Sequence, residues 1–161
     1  GVYHGIINLS QLRSSFIKCI ALNGTISFVH DNLGIPENVF RGTLENVTEA
    51  SLVKFYRRMC ADRDVLSRFM ENRPLRKISE VKKELECIYK RRNGGSTPEV
   101  FYTDVIISTN DRIFPPAHQH SSWQGNDITT IATGHFPFYN FATWEDLVEV
   151  GERDGHHRIN C

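Results

Sequence analysis

The chain has 161 residues and a mass of 18.5 kDa; 40% of the residues are hydrophobic and 24% are charged, with 19 basic and 19 acidic side chains. This mixture is typical of one globular domain with a sizeable core, and ten Phe, five Tyr and two Trp argue against a disordered chain. The sequence has no apolar run of about 18 residues and no signal-peptide pattern, so we expect neither a membrane partner nor secretion. The balanced charge argues against a nucleic-acid partner.

The cysteines are widely separated and form no C-x-x-C pair, which excludes the common zinc and redox motifs. They are Cys19, Cys60, Cys87 and Cys161. In a chain without a signal peptide this pattern favours free thiols, and we expect a cytoplasmic protein. The pair His118-x-His120 has a metal-like spacing but no fixed acid beside it, so we predict no metal and no cofactor.

The period of the apolar residues and the turn signals predict the elements. In chain order, the first helix is predicted at 2–14. An almost continuous apolar run that ends in an Asn-Gly turn predicts a buried strand at 16–22. Residues rich in β-branched and aromatic side chains predict strands at 100–108 and 127–133. The other predicted helices are 48–59, 65–70, 78–88, 117–123 and 143–150.

The alternation of strands and helices indicates an α/β fold, and a helical segment of roughly sixty residues interrupts it, as a cap or lid does. The predicted boundaries divide the chain into a core at 1–33 and 96–161 and an inserted helical cap at 34–95. Thr48 and Thr143 are predicted to cap helices. The last helix is predicted to bury Trp144, Leu147 and Val148.

Two polar residues stand directly after predicted strands, where the functional loops of open parallel sheets lie. Asp111 follows the strand that ends at Ser108, and His135 follows the strand that ends at Thr133. A carboxylate in this position can accept the Nδ1–H of an imidazole and fix its tautomer, and hydrolase triads place the acid before the histidine along the chain. Each residue also has a plain interpretation, as a loop cap for Asp111 and a packed side chain for His135.

Several blocks of sequence around these residues are specific enough to indicate a family. The most distinctive are Asn-Asp-Arg-Ile-Phe-Pro-Pro at 110–116 and Arg-Arg-Met-Cys at 57–60. The other blocks are Ala-Leu-Asn-Gly-Thr at 21–25, Gly-Ile-Pro at 34–36, Gln119, Trp123, Gly-His-Phe-Pro-Phe at 134–138 and Trp144-Glu145. By these blocks the chain resembles the BioG-type pimeloyl-[acyl-carrier protein] methyl ester esterases, and the resemblance runs from Gly1 to about Val150.

The resemblance implies an α/β-hydrolase fold and a serine carboxylesterase that hydrolyses the methyl ester of pimeloyl-[acyl-carrier protein] in biotin biosynthesis. It implies that Asp111 is the acid of a Ser-Asp-His triad and that His135 is the general base, which returns the nucleophile's proton to methanol. The sequence contains no G-x-S-x-G motif, and by the resemblance the nucleophilic serine lies before Gly1. We therefore expect the C-terminal portion of an α/β-hydrolase, inactive as this chain alone, with the missing N-terminal segment as a partner.

The predicted cap is basic although the chain as a whole is neutral. Between Lys54 and Arg92 lie 13 of the 19 basic residues and six acidic residues. A solvated helical face accounts for such a run equally well, but a basic surface also steers acidic partners. The resemblance supplies such a partner, an acidic acyl carrier protein, and we predict Arg57, Arg58 and Arg63 as its contacts.

Two other functions stay open on the sequence. One is a non-catalytic fragment or module that binds an acidic acyl carrier protein through the basic cap. The other is an α/β-hydrolase esterase of another specificity, such as a general short-acyl esterase, which would be indifferent to the carrier protein and to salt.

Overall fold

A computed structural model describes Val2, Gly5, 10–92 and 100–153 of the chain. The strands are β1 (Ile20–Leu22), β2 (Asp104–Ser108) and β3 (Ile128–Ile131). The helices are α1 (Glu37–Glu45), α2 (Glu49–Cys60), α3 (Arg63–Glu71), α4 (Ile78–Arg91), α5 (Pro116–Ser122) and α6 (Trp144–Arg153). Short 3₁₀ helices lie at Ser10–Ser15 and Phe138–Asn140. The helices α1–α4 separate β1 from β2, and α5 separates β2 from β3.

The three strands form one parallel sheet in the order β1-β2-β3. Ala21 pairs with Val105, and Val105 pairs in turn with Ile128, so the carboxyl ends of the strands lie at the same edge. Parallel neighbours need crossover connections, which the intervening helices provide. The predicted α/β fold with three parallel strands and flanking helices is confirmed, although each strand is shorter than predicted.

β1 is an edge strand, and its outer side pairs with no strand of the described ranges. The pairing begins only after Cys19, whose backbone carbonyl accepts a hydrogen bond of 2.8 Å from the backbone N–H of Thr103. Phe16 and Ile17, which the sequence placed at the start of this strand, precede the sheet and are 46% and 104% exposed. The outer edge of β1 therefore adjoins exposed apolar side chains.

The centre of the core is β2. Its residues Val105, Ile106 and Ile107 are all buried, because α5 and α6 cover this part of the sheet. Trp123 at the end of α5 is completely buried, and its indole Nε1–H donates to the backbone carbonyl of Gly24 at 2.7 Å. The loops at the carboxyl end of the sheet thus rest on a closely packed layer.

The helical segment α1–α4 packs on the loops that follow the strands. One apolar cluster joins Phe40 of α1 to Phe114 after β2, and a second joins Tyr56 and Phe69 to Phe136 after β3. These contacts bring the helices to the carboxyl end of the sheet. The division into a core and a cap at 34 and 95 stays a prediction.

The helix caps agree with the prediction from the sequence, whereas the burial of the last helix does not. The Thr48 hydroxyl accepts from the backbone N–H of Ser51, and the Thr143 hydroxyl accepts from the backbone N–H of Asp146. Leu147 is buried as predicted, but Trp144 is 71% exposed and Val148 is 36% exposed.

The prediction that Trp144 and Val148 are buried is therefore wrong. The two residues are four positions apart and share one face of α6. That face borders a cavity beside β1, where no described segment covers it.

The prediction of free thiols is confirmed for Cys19, Cys60 and Cys87, whereas Cys161 lies outside the described residues. Cys60 is buried, and this burial raises the pKa of its thiol. Within the described ranges, no helix has the length and apolar character needed to cross a membrane.

Candidate active site

The two residues singled out after β2 and β3 lie in loops that are bonded to each other. The backbone N–H of Thr109 donates to Ile131 at 2.9 Å, and that of Asn110 donates to Thr133 at 3.1 Å. These bonds continue the pairing of β2 with β3 beyond the strands themselves. Asp111 and His135 follow immediately, and the sheet therefore sets the distance between them.

Asp111 and His135 are directly hydrogen-bonded. The Nδ1 atom of His135 lies 2.9 Å from Oδ2 of Asp111, whose side chain is fully buried, whereas the imidazole is 22% exposed. An ionised carboxylate only accepts hydrogen bonds, so Nδ1 carries the proton and donates. Among the described residues no side chain is hydrogen-bonded to Nε2, which leaves this nitrogen available to exchange a proton with a bound molecule.

The Asp111 carboxylate has partners for both oxygens. Oδ1 accepts from the backbone N–H groups of Ile113 at 2.7 Å and Phe114 at 3.0 Å. Oδ2 accepts from the side-chain amide of Gln119 at 3.0 Å as well as from His135. A buried carboxylate with four donors is fully satisfied, and its plane is fixed.

The His135 backbone is held by Asn23, which directly follows β1. Asn23 is 3% exposed and adopts a φ of 47°, which asparagine tolerates better than most residues. Its Nδ2 donates to the carbonyl of His135 at 3.0 Å and to the Ser108 hydroxyl at 2.8 Å, and its Oδ1 accepts from the Ser108 N–H at 2.7 Å. One side chain therefore ties the ends of β1 and β2 to the loop that carries the imidazole.

His135 opens onto a cavity of about 880 Å³ with a mainly apolar lining. The imidazole stacks against Phe114, with ring centroids 5.7 Å apart and planes 22° apart. The side of the cavity near the helical segment includes Phe28, Met59, Cys87, Ile88, Arg91 and Phe136. The opposite side includes Ile20, Leu22, Trp144 and Val148, so the cavity extends from the imidazole to the open side of β1.

The end of α2 is pressed against the loop that carries His135. The backbone N–H of Phe136 donates to the carbonyl of Met59 at 3.1 Å. A Cβ atom on Gly134 would stand 2.9 Å from the carbonyl oxygens of Met59 and Cys60, closer than real Cβ atoms approach. Glycine is therefore required at this position by the close approach of two backbones.

The three arginines predicted to contact a partner are exposed and lie outside the cavity lining. Arg57 and Arg58 lie in the last turn of α2, and Arg63 is the first residue of α3. The Arg58 guanidinium donates to the backbone carbonyl of Arg112 at 2.8 Å, and this bond connects α2 to the loop just after Asp111. Their proposed role in partner binding stays a prediction.

The histidine pair considered as a metal site is arranged differently from a ligand pair. Nδ1 of His118 lies 2.8 Å from the backbone carbonyl of Gly34, which connects α5 to the start of the helical segment, and His120 is exposed. The described part of the chain contains no group of three or more His, Cys, Asp or Glu residues placed to hold a metal ion.

The sequence analysis missed the roles of Asn23 and Gln119. Asn23 precedes Gly24 after an apolar run, which is the composition of an ordinary turn. Gln119 stands in a short polar helix, eight residues after Asp111, where no spacing rule connects an amide to a carboxylate. Both residues lie in blocks that carried the resemblance, but their partners emerge only from the fold.

Comparison with known proteins adds the family. A family model described as the pimeloyl-ACP methyl esterase BioG matches residues 6–147. A malonyl-[acyl-carrier protein] O-methyltransferase from Bacteroides fragilis (strain 638R) is 38% identical over 121 residues, which are 74% of this chain and 25% of that protein. A protein from Haemophilus influenzae is 33% identical over 129 residues, which are 79% of this chain and 60% of that protein.

A solved structure agrees with these matches. The crystal structure of BioG from Haemophilus influenzae superposes with a TM-score of 0.80 and 31% sequence identity, covering 91% of this chain and 68% of that chain. This chain spans a quarter of one of the curated relatives that it matches and three fifths of the other. The match over 6–147 and the agreement in fold show that the chain belongs to the BioG family of pimeloyl-ACP methyl esterases.

Proposed function

We propose that this chain carries the acid and the general base of an esterase that hydrolyses the methyl ester of pimeloyl-[acyl-carrier protein] in biotin biosynthesis. The observation that carries the proposal is the hydrogen bond of 2.9 Å between Nδ1 of His135 and the buried Asp111 carboxylate, with the imidazole opening onto an apolar cavity. Asp111 fixes the tautomer in which Nε2 is unprotonated, so Nε2 can accept a proton from a nucleophile.

The reaction needs two proton transfers through Nε2. A serine hydroxyl attacks the ester carbonyl while Nε2 takes its proton, and the protonated imidazole then gives that proton to methanol as the leaving group. A water molecule attacks the resulting acyl-serine by the same route. The free carboxylic acid leaves, and the serine regains its proton. The buried charge of Asp111 stabilises the imidazolium in each half of the cycle.

We infer that the nucleophilic serine belongs to a part of the whole protein outside this chain. Among the described residues, Ser108 is the serine nearest in the hydrogen-bond network, but its hydroxyl is bonded to Asn23 and Thr133 at the floor of the site. The cavity runs from His135 to the open side of β1, and the BioG crystal structure is longer than this chain. A further strand beside β1 would bring a serine on the turn after it to that side of the cavity.

The cavity suits an acyl chain. Its walls near the helical segment are formed by Phe28, Met59, Ile88 and Phe136, which offer an apolar surface to a methylene chain. The methyl ester must reach His135 while the other end of the acyl group stays attached to the carrier. The name of the Bacteroides fragilis relative also refers to an acyl-carrier-protein substrate, and the chain matches a quarter of that protein.

We infer that the carrier protein binds to the basic helical segment, which we propose acts as a cap over the site. Arg57, Arg58 and Arg63 are exposed at the junction of α2 and α3, next to the turn that contacts Gly134. An acidic carrier would be steered to this surface by charge. Because Arg58 also connects α2 to Arg112, the two other arginines give the clearer test.

The experiment combines a serine probe with two substrates. The full-length protein is labelled with a fluorophosphonate, its intact mass is recorded, and hydrolysis is followed on pimeloyl-carrier methyl ester and on a small soluble methyl ester. Labelling that His135→Ala abolishes, with preference for the carrier ester, supports the proposal. Equal rates on both esters would indicate an esterase of another specificity, and absent labelling with retained carrier binding would indicate a non-catalytic module.

The carrier surface is tested separately by charge reversal. Arg57→Glu combined with Arg63→Glu should raise KM for the carrier ester several-fold at low salt and leave the rate on the small ester unchanged. Arg41→Glu is the matched control, because Arg41 is exposed in α1 and pairs only with the exposed Glu45 among the contacts described. Equal KM values in the two variants would contradict the assignment.

A further inference from the structure

The amide of Gln119 is bonded in an unusual way for a buried side chain. Gln119 is completely buried in α5, and its Nε2 donates both to Oδ2 of Asp111 at 3.0 Å and to the backbone carbonyl of Phe114 at 2.9 Å. Its Oε1, also buried, has no hydrogen-bond partner among the described residues. All of the hydrogen bonding of this amide is therefore directed through its two N–H groups.

The orientation of the amide follows from its two partners. A carboxylate oxygen and a backbone carbonyl both only accept hydrogen bonds. A flipped amide would place Oε1, which is also an acceptor, against both of them. The flipped form would repel both partners, and the orientation with Nε2 toward Asp111 is the one that satisfies them. This arrangement leaves Oε1 without a hydrogen-bond partner, and a buried carbonyl without a partner destabilises a folded protein. Packing alone would be served equally well by methionine or leucine.

We propose that Gln119 is a positioning residue that holds Oδ2 of Asp111 in the plane required by the imidazole of His135. The inference rests on the proposed function, because it assigns Gln119 a part in the same acid–base pair. The two backbone donors from Ile113 and Phe114 fix Oδ1, and they alone permit the carboxylate to pivot about that oxygen. The Gln119 donor removes this freedom, because it is bonded to the second oxygen, Oδ2.

Gln119 acts at a distance from the substrate. It does not line the cavity onto which His135 opens, and it touches that residue only through the shared Oδ2 of Asp111. A side chain with this role should affect the chemical step and not substrate binding. Loss of the donor should therefore lower kcat per titrated active site and leave KM unchanged, whereas a general loss of stability would lower the number of titrated sites.

The first test compares Gln119→Met with Gln124→Met in the full-length protein. Methionine keeps the length of the side chain and removes both donors, and Gln124 is an exposed glutamine five residues later in the chain. With active sites counted by fluorophosphonate titration, Gln119→Met should lower kcat about tenfold to a hundredfold, with KM within about twofold of wild type. Gln124→Met should change neither value. An unchanged kcat in folded Gln119→Met overturns the proposal.

The second test does not depend on esterase activity. In proton NMR of the full-length protein, the Nδ1–H that His135 donates to Asp111 should give a downfield resonance, assigned by its loss in His135→Gln. That resonance should shift or exchange faster in Gln119→Met and stay in place in Gln124→Met. If it responds while no ester is hydrolysed, Gln119 positions Asp111 and the proposed function fails. If it does not respond, the positioning role fails whatever the activity.

Should Gln119→Met fail to fold, Gln119→Leu replaces it in both measurements. Leucine is apolar and removes both donors without placing a second carboxyl group beside Asp111. We expect the same loss of kcat and the same change in the His135 resonance as in Gln119→Met. A resonance and kcat at wild-type values would overturn the proposal.

Discussion

Two regions of the molecule border the same cavity but are built in opposite ways. The first is the loops at the carboxyl ends of the strands, and the second is the outer edge of β1. In the first region, Asp111, His135, Asn23 and Gln119 are buried or half-buried, and hydrogen bonds of 2.9 to 3.0 Å join them. In the second region, β1 is only three residues long, and Ile17, which precedes it, is fully exposed. The side of the candidate site that holds Asp111 and His135 is closely hydrogen-bonded within this chain, whereas the opposite side is open.

The sharpest way to test the assembled side is to change the acid–base pair. Asp111→Asn turns an acceptor toward Nδ1 into an amide and favours the wrong tautomer of His135, so kcat in the full-length protein should fall by roughly four orders of magnitude. Asp127→Asn, an exposed acid just before β3, is the control. Activity of Asp111→Asn close to that of the control would remove Asp111 from the mechanism.

A second change tests whether Asn23 holds the His135 loop. Asn23→Ala removes the buried bonds to Ser108 and to the His135 carbonyl, and leaves these groups without partners. We expect the free energy of unfolding to fall by about 3 kcal/mol, measured by urea denaturation. The exposed Asn126 provides the matched variant Asn126→Ala, which should cost little. Similar losses in both variants would mean that Asn23 contributes no more than an ordinary turn residue.

A third change tests the exposed outer edge of β1. An uncovered parallel edge with exposed apolar neighbours favours self-association, so this chain produced by itself should form oligomers at micromolar concentration. Ile17→Glu should reduce that association several-fold in sedimentation velocity. Leu75→Glu serves as the control, because Leu75 is 93% exposed but lies between α3 and α4, in the helical segment. A monomeric wild-type chain would contradict the prediction.

The smallest effect is expected at half-buried hydrogen bonds between α1 and the end of α4. The Tyr89 hydroxyl donates to Glu37 at 2.7 Å and lowers the pKa of that carboxyl, and Arg92 adds a charge-assisted bond at 3.1 Å. The pKa of Glu37 is lower in the folded state than in the unfolded chain. These bonds between Glu37 and the end of α4, called the Glu37 clasp below, therefore stabilise the protein fully at pH values above 4.5, the ordinary pKa. The stabilisation is lost as the pH falls through the lowered pKa.

Thermal denaturation against pH measures the Glu37 clasp. Glu37→Gln should lower Tm slightly near neutral pH, by less than Asn23→Ala does, and the difference from wild type should vanish in acid. Glu45→Gln, at an exposed pair with Arg41, is the control. A difference that persists or grows as the pH falls would show that the carboxylate is not responsible.

The positions of Asp111 and His135 could be predicted because one rule covers both. The carboxyl ends of parallel strands share an edge, and an acid and a histidine after neighbouring strands must therefore come close. Their supporting residues obey no such rule. Asn23 acts through a left-handed backbone and long-range partners, and Gln119 acts through an amide whose orientation depends on Phe114.

The errors in burial have a different origin. Helical spacing showed correctly that Trp144, Leu147 and Val148 have related directions on α6, but periodicity does not say whether a face is covered. All three line the cavity, but only Leu147 is buried, whereas Trp144 and Val148 are exposed. The first strand was predicted too long for a similar reason, since Phe16 and Ile17 are apolar and yet find no strand beside them in the described structure.

The contact at Gly134 restricts how the helical segment can move. The backbone of His135's loop touches the carbonyls of Met59 and Cys60, and the neighbouring Phe136 is hydrogen-bonded to Met59. A swing of α2 away from the sheet would break this bond and pull on the loop that carries His135, so we expect α2 and the imidazole to move together.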